Sequence, residues 1–236
     1  MADGAALAPP GLKVWSLVMT ALGDLAPAEG TSVSGPALSA IVGRFGVRPE
    51  TLRVALHRLR RDGWAETARS GRTARHGLSP KGRAATADAH GAVYGDGRAE
   101  GDWRLAVLAP GETAPLAIAP RTALVPPGAP DPAGALAAFP VLPLDDWAAS
   151  QVIAPETMAA YAALAKRTAD APPTGLDPLE RTALRLSVLH DWRRLALREP
   201  PSAADLMGED WIGARARAGV HRWLDALPRP DEGKLP

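Results

Sequence analysis

Apolar positions recur with a helical period through the first part of the chain. Val14, Leu17, Val18, Ala21, Leu22 and Leu25 follow i, i+3, i+4, i+7, i+8, i+11 and predict a helix with one apolar face. Pro27 and Gly30 end it. A short extended piece at Thr31-Ser32-Val33 follows, and Ser34-Gly35-Pro36 opens a second helix with Leu38, Ile41 and Val42 inward. Gly43 and Gly46 bracket a tight turn around Phe45. Pro49 then stands at the first position of a third helix, running to about Asp62 and closed by Gly63. Residues 64–69 and 73–78 read as two short strands about a Ser70-Gly71 turn. Ser79-Pro80 starts a fourth, Ala-rich helix expected to reach about Val93.

A second region begins near Gly101. Residues 103–108, 116–118 and 139–142 read as strands, and the Pro-rich stretch 126–132 reads as a loop. A helix follows Pro155 through Met158, Tyr161, Ala162 and Leu164. Pro172, Pro173 and Gly175 mark a linker over 170–177. Residues 179–198 are apolar on most sides, which predicts a buried helix stopped at Pro200-Pro201. Ala216, Val220, Trp223, Leu224 and Leu227 mark a final helix, and no internal repeat is visible.

Residues 34–78 thus run helix, tight turn, helix, two-stranded ribbon, the order of a winged helix-turn-helix. At 100° per residue, Leu52, Ala55, Leu56 and Leu59 share an arc about 100° wide. Glu50, Arg53, Val54, His57 and Arg61 fall opposite, with Arg58 and Arg60 on the flanks. An apolar stripe beneath a cationic outer face suits insertion into a major groove. Arg53 fits a bidentate guanine contact, His57 an acceptor edge and Val54 a thymine methyl, while Glu50 either accepts from a cytosine amino group or favours the helix N-terminus. Arg48 and Thr51 join them at the start of the helix, and Arg60 and Arg61 suit phosphates. Arg69, Arg72 and Arg75 give the ribbon a cationic tip for backbone or minor groove. The plainer alternative is a solvated helix face and a charged hairpin with no partner.

Composition sharpens this picture in one place. Formal net charge is +1, yet residues 48–83 carry ten basic and three acidic groups, and residues 84–236 are net −5. Arg outnumbers Lys 23 to 4, so a single Arg is weak evidence and only the clustering counts. There is no Cys, which excludes a disulfide framework, a thiolate metal site and a Cys nucleophile. The sequence lacks an apolar run long enough for a membrane span, and residues 1–10 lack the basic and apolar regions of a signal peptide. A soluble cytoplasmic protein without membrane contact is expected.

Five segments together resemble the phenylacetate-degradation repressors, the PaaX-type regulators. They are VWSLVMTALGD, TLRVALHRLRRDGW, SGRTARHGLSPKGR, the Tyr94-Gly95 to GDWRLAVL junction, and LHDWRRLALREPPSAADLMGEDWIG. The resemblance implies an α+β chain of three parts: an N-terminal winged helix-turn-helix (11–95), a small central ferredoxin-like α/β domain (96–170) and a helical C-terminal domain (177–230). It further implies a homodimeric repressor of aromatic-acid catabolic genes that binds a double-stranded DNA operator and is released by an aryl-acyl-CoA thioester. The stretch 109–154 is short for the family, with no helix pattern between 103–108 and 116–118, which points to a reduced or rearranged central domain.

His190-Asp191, with Arg193 and Arg194 on the next turn, read either as an effector site or as a satisfied buried cluster. In the first reading Leu186, Leu189 and Trp192 line a pocket between the central and C-terminal domains, and His190, Arg193 and Arg194 meet the effector. His57, His76, His90, His190 and His221 show no metal-ligand spacing, and neither metal nor cofactor is expected. Asp145-Asp146 before Trp147 suits capping better than catalysis. GxSxG, P-loop and GxGxxG motifs do not occur, so no enzyme is expected. Trp147, Trp192, Trp211 and Trp223 read as packing residues. Three alternatives stay open: a winged-helix regulator of another operon with another effector, a nuclease on the ferredoxin-like domain, and a winged helix that binds protein. The nuclease needs an acid at the end of the first central strand, where Ala109-Pro110 stands instead.

Overall fold

The computed structural model describes residues 7, 11–97, 101–140, 152–198, 206–207 and 210–230. The chain is a mixture of helix and sheet, and its contacts gather into two units. The first holds Met1–His90, Thr168–Arg194 and Val220–Pro236; the second holds Gly91–Arg167 and Leu195–Gly219. Stretches distant in sequence thus share a unit.

In the first unit, α1 (Val14–Leu25), α2 (Gly35–Gly43) and α3 (Pro49–Arg61) contact one another and bury Leu17, Leu22, Leu38, Ile41, Phe45, Leu52, Leu56 and Leu59. The Ser34 side chain caps α2 by accepting from the Ala37 amide at 3.1 Å. The turn after α2 closes on Gly46 at φ +72. β1 (Val33–Ser34), β2 (Ala65–Ser70) and β3 (Thr73–Leu78) form an antiparallel sheet in the order β1-β3-β2. The β2-β3 ribbon turns through Gly71 at φ +60. α1 buries more than its apolar stripe, for Thr20 and Asp24 are enclosed as well.

The single fourth helix expected to reach Val93 is instead α4 (Pro80–Asp88) followed by α5 (His90–Tyr94). Asp88, His90 and Gly91, all weak helix formers, cluster at the break.

The second unit holds a four-stranded sheet of β4 (Arg104–Leu108), β5 (Ala117–Ala119), β6 (Thr122–Val125) and β7 (Ala135–Pro140). The order is β5-β6-β4-β7 and every pair is antiparallel. The first strand lies between the third and the fourth, with the second at an edge, which is the order of a split β-α-β sheet. The residues 109–116 and 126–134, where that sheet has its crossover helices, contain none. The strand order is that of a ferredoxin-like sheet, and the helix-free stretches agree with the reduced central domain expected over 109–154. β6 escaped the sequence reading because its turn carries no glycine. Arg121 takes φ 60 there, and its Nε and carbonyl both bond to Leu108, each at 2.8 Å. Ala106, Leu108, Ala123 and Val125 form one apolar cluster, and Trp103, Leu124 and Leu206 form another.

The remaining elements are α6 (Pro155–Arg167), α7 (Pro178–Ala196) and α8 (Ile212–Ala226). α7 buries Leu186, Val188, Leu189, His190 and Trp192, as its all-round apolar pattern predicts. Trp211 and Trp223 are buried too, the former tilted against Tyr161 with ring centroids 5.1 Å apart. Asp145, Asp146, Trp147, Pro200 and Pro201, and the end of the strand expected over 139–142, lie outside the described residues.

Candidate nucleic-acid interface

α3 is specified at both ends by local chemistry. Arg48 is extended ahead of Pro49, which supplies a helical φ and needs no amide donor. At the far end Gly63, at φ +76, donates to the Arg60 carbonyl (3.0 Å) and Trp64 donates to the Leu59 carbonyl (2.8 Å). This pair of bonds is a Schellman motif, which needs the left-handed conformation that glycine adopts without penalty. Between these ends Leu52, Ala55, Leu56 and Leu59 are buried. Arg48, Glu50, Thr51, Arg53, Val54, His57, Arg58, Arg60 and Arg61 are all exposed, Val54 to 69%.

Charges along the outer face pair sparingly. Glu50 lies 3.7 Å from Arg53 one turn on. At the C-terminal end Asp62 meets Arg61 at 3.0 Å and Arg58 at 3.5 Å, both through Nε. The Arg61 hydrogen bond holds the Asp62 carboxyl below the usual carboxylate range, against some desolvation, with the Arg58 charge adding to the effect. Two more contacts at this end were not foreseen. The Arg58 guanidinium sits 5.9 Å from the centroid of the Trp15 ring, and Lys81 Nζ sits 4.1 Å from that of Trp64 while donating to the Asp62 carbonyl at 3.1 Å. Lys81 was visible only as one charge among ten, and Trp15 only as an aromatic off the apolar stripe of α1.

Of the three ribbon arginines, Arg69 and Arg72 are exposed near the turn. Arg75 differs: its Nε donates to Ser32 Oγ at 2.8 Å and its Nη2 to the Ser32 carbonyl at 2.7 Å. It ties β3 to the segment leading into β1. Next to it His76 is buried, with Nδ1 2.9 Å from Thr67 Oγ1, and burial followed by the nearby Arg60 charge lowers its pKa.

The residues expected at an effector site lie on α7. His190 is 1% exposed and its Nδ1 stands 3.1 Å from Thr20 Oγ1. The Thr20 hydroxyl donates to the Ser16 carbonyl at 3.0 Å, so the ring nitrogen is the donor to Thr20. Burial, then the charges of Arg194 and Arg193, lower the His190 pKa to about 4. Leu186, Leu189 and Trp192 are enclosed with it, whereas Arg193 is half-buried and Arg194 exposed. An open cleft of about 410 Å³ lies elsewhere in the first unit, with Pro172, Leu176, Arg181 and Leu227 among its walls. Among the described residues no group of three His, Asp or Glu side chains is arranged to hold a metal ion, and no helix is long and apolar enough to cross a membrane.

Comparison with known proteins matches two stretches of the chain. A family model described as "PaaX-like protein" matches residues 13–82, and one described as "PaaX-like protein C-terminal domain" matches residues 155–231. No curated protein matches the chain. Among solved structures it is similar to the uncharacterized protein Rv0674 from Mycobacterium tuberculosis, with 21% identity and a TM-score of 0.51. That match covers 91% of this chain and 95% of the other, and it speaks to the fold alone.

Proposed function

The chain belongs to the PaaX-like family, whose members are transcriptional regulators, and from that premise we propose that it is a DNA-binding repressor of aromatic-acid catabolic genes. One observation carries the reading: α3 buries four apolar side chains and exposes a cationic face, inside the stretch that the first family model matches. Arg53, Val54 and His57, with Glu50, Thr51 and Arg48, read base edges; Arg58, Arg60 and Arg61 contact phosphates; Arg69 and Arg72 follow the backbone or the minor groove. Arg75 acts through the ribbon it holds to Ser32.

The protein works as a cytoplasmic homodimer, since two recognition helices about 34 Å apart read a symmetric operator where one covers only a few base pairs. The functional parts are 11–95 for DNA, 96–170 for the central sheet and 177–230 for the helical end. An aryl-acyl-CoA thioester releases the operator by binding the DNA-incompetent state more tightly. Arg193 and Arg194 supply cations for its phosphates, and His190, neutral and enclosed, acts by packing its helix. The helix-free central crossovers favour a second reading, the same type of regulator with a different effector.

The test is fluorescence anisotropy with a duplex of the region upstream of the protein's own gene, with and without a panel of acyl-CoA thioesters. Tight, sequence-selective binding released by an aryl-acetyl-CoA is expected. Binding no tighter than to random duplex overturns the repressor reading, and release by another ligand alone selects the second.

A further inference from the structure

The apolar stripe of α1 leaves Trp15 outside it, and this indole is 38% exposed. Across from it stands Arg58 in the last turn of α3, with its guanidinium 5.9 Å from the ring centroid. A like arrangement is built at the start of α4. Ser79 donates through Oγ to the Gly63 carbonyl at 2.6 Å and through its amide to the Trp64 carbonyl at 3.1 Å. Those bonds fix the first turn of α4 against the end of α3 and carry Lys81 over the Trp64 ring at 4.1 Å. Both cations meet at one residue, since Arg58 pairs with the Asp62 carboxylate and Lys81 bonds to the Asp62 carbonyl.

An exposed Arg or Lys ordinarily samples many rotamers and loses that freedom when it grips a phosphate. An indole face attracts the cation electrostatically and restricts it beforehand, at little desolvation cost because the charged end stays in water. We propose that Arg58 and Lys81 are two indole-backed phosphate contacts, held by Trp15 and Trp64, which extend the DNA surface from α3 onto α1 and the start of α4. The proposal rests on the DNA-binding reading and adds to it Lys81 as a contact and Trp15 and Trp64 as positioning residues. The rival account is that both cations merely satisfy the carbonyl end of α3. That role changes stability and leaves the salt dependence of DNA binding untouched.

The full chain is titrated with a random-sequence duplex by anisotropy at several salt concentrations, using Arg58→Gln, Lys81→Gln, Trp15→Leu and Trp15→Phe. Arg58→Gln and Lys81→Gln should each flatten the log–log salt slope by about one counterion. Trp15→Leu, which keeps apolar bulk without a π face, should weaken binding about two- to fivefold, and Trp15→Phe should recover most of it. Urea midpoints identify any variant that has lost its fold, and Trp64→Phe and Trp64→Leu then repeat the comparison at the Lys81 platform. Unchanged slopes for both cation variants, beside a wild type that binds, overturn the proposal and leave the DNA reading standing. A wild type that binds no duplex even at low salt overturns the DNA reading itself.

Discussion

Arg185 and Asp24 lie 161 residues apart and are joined through two hydrogen bonds, Nε to Oδ2 at 2.7 Å and Nη2 to Oδ1 at 2.8 Å, with both side chains buried. The same guanidinium donates through Nη1 to the carbonyls of Leu224 (2.7 Å) and Leu227 (2.9 Å), and Arg229 Nε reaches Asp24 Oδ1 at 3.1 Å. α1 is therefore fastened to α7 and to the end of α8. A second tie lies outside the core. Asp177 and Glu180 cap α7 reciprocally, Asp177 accepting from the Glu180 amide at 2.8 Å, and Arg44 in the turn before α3 stands 3.8 and 3.9 Å from the two carboxylates.

Removing one member of the buried pair takes from the other its closest counter-charge, although Arg229 still reaches Asp24 and two carbonyls still accept from Arg185. Asp24→Leu or Arg185→Leu alone should cost about 3–5 kcal/mol in urea unfolding, whereas the double variant carrying both substitutions should cost less than their sum. Additive losses would mean that the two residues do not act as a unit.

His190 makes stability depend on pH. Its folded pKa of about 4 lies below the unfolded value near 6.5, so the unfolded chain binds the extra proton between those two pH values. Stability therefore falls as pH drops from 6.5 towards 4 and levels off below, with a total on the order of 3 kcal/mol from this group. Urea midpoints for wild type and His190→Gln across pH 4–7.5 isolate the contribution. Curves that stay parallel would remove His190 as its source.

On α3, Arg60→Ala or Arg61→Ala should weaken binding to every DNA sequence alike and reduce the salt slope by about one counterion per lost contact. Arg53→Ala or His57→Ala should cost roughly 1–3 kcal/mol on the operator and little on random duplex. Four variants indistinguishable on both duplexes would refute the division between base and phosphate readers.

Gly82 packs against the start of β2, and a Cβ there would stand 2.2 Å from the Trp64 carbonyl oxygen. Gly82→Ala should destabilise by about 1–3 kcal/mol through backbone displacement. Gly43→Ala meets nothing within 4 Å and should be neutral or stabilising by up to roughly 1 kcal/mol. Thermal unfolding of both compares a crowded glycine with an open one, and equal midpoints would deny the crowding.

How much of this was legible depends on the range of the interaction. Leu52, Ala55, Leu56 and Leu59 declare their face because helical periodicity is local, and Pro49 and Gly63 declare the ends because both act through their own φ. The β2-β3 ribbon announced itself through Ser70-Gly71, while β6 did not, since its turn at Arg121 is held by bonds to Leu108 on another strand. The sequence alone thus determined α3, its outer face and the cationic cluster. Tertiary structure decided what each charge does. Arg75 is drawn to Ser32, Lys81 stands over Trp64, and Asp24 on α1 is buried against Arg185. Such assignments rest on contacts between residues 17 to 161 positions apart, and local periodicity carries no information about which distant group will arrive.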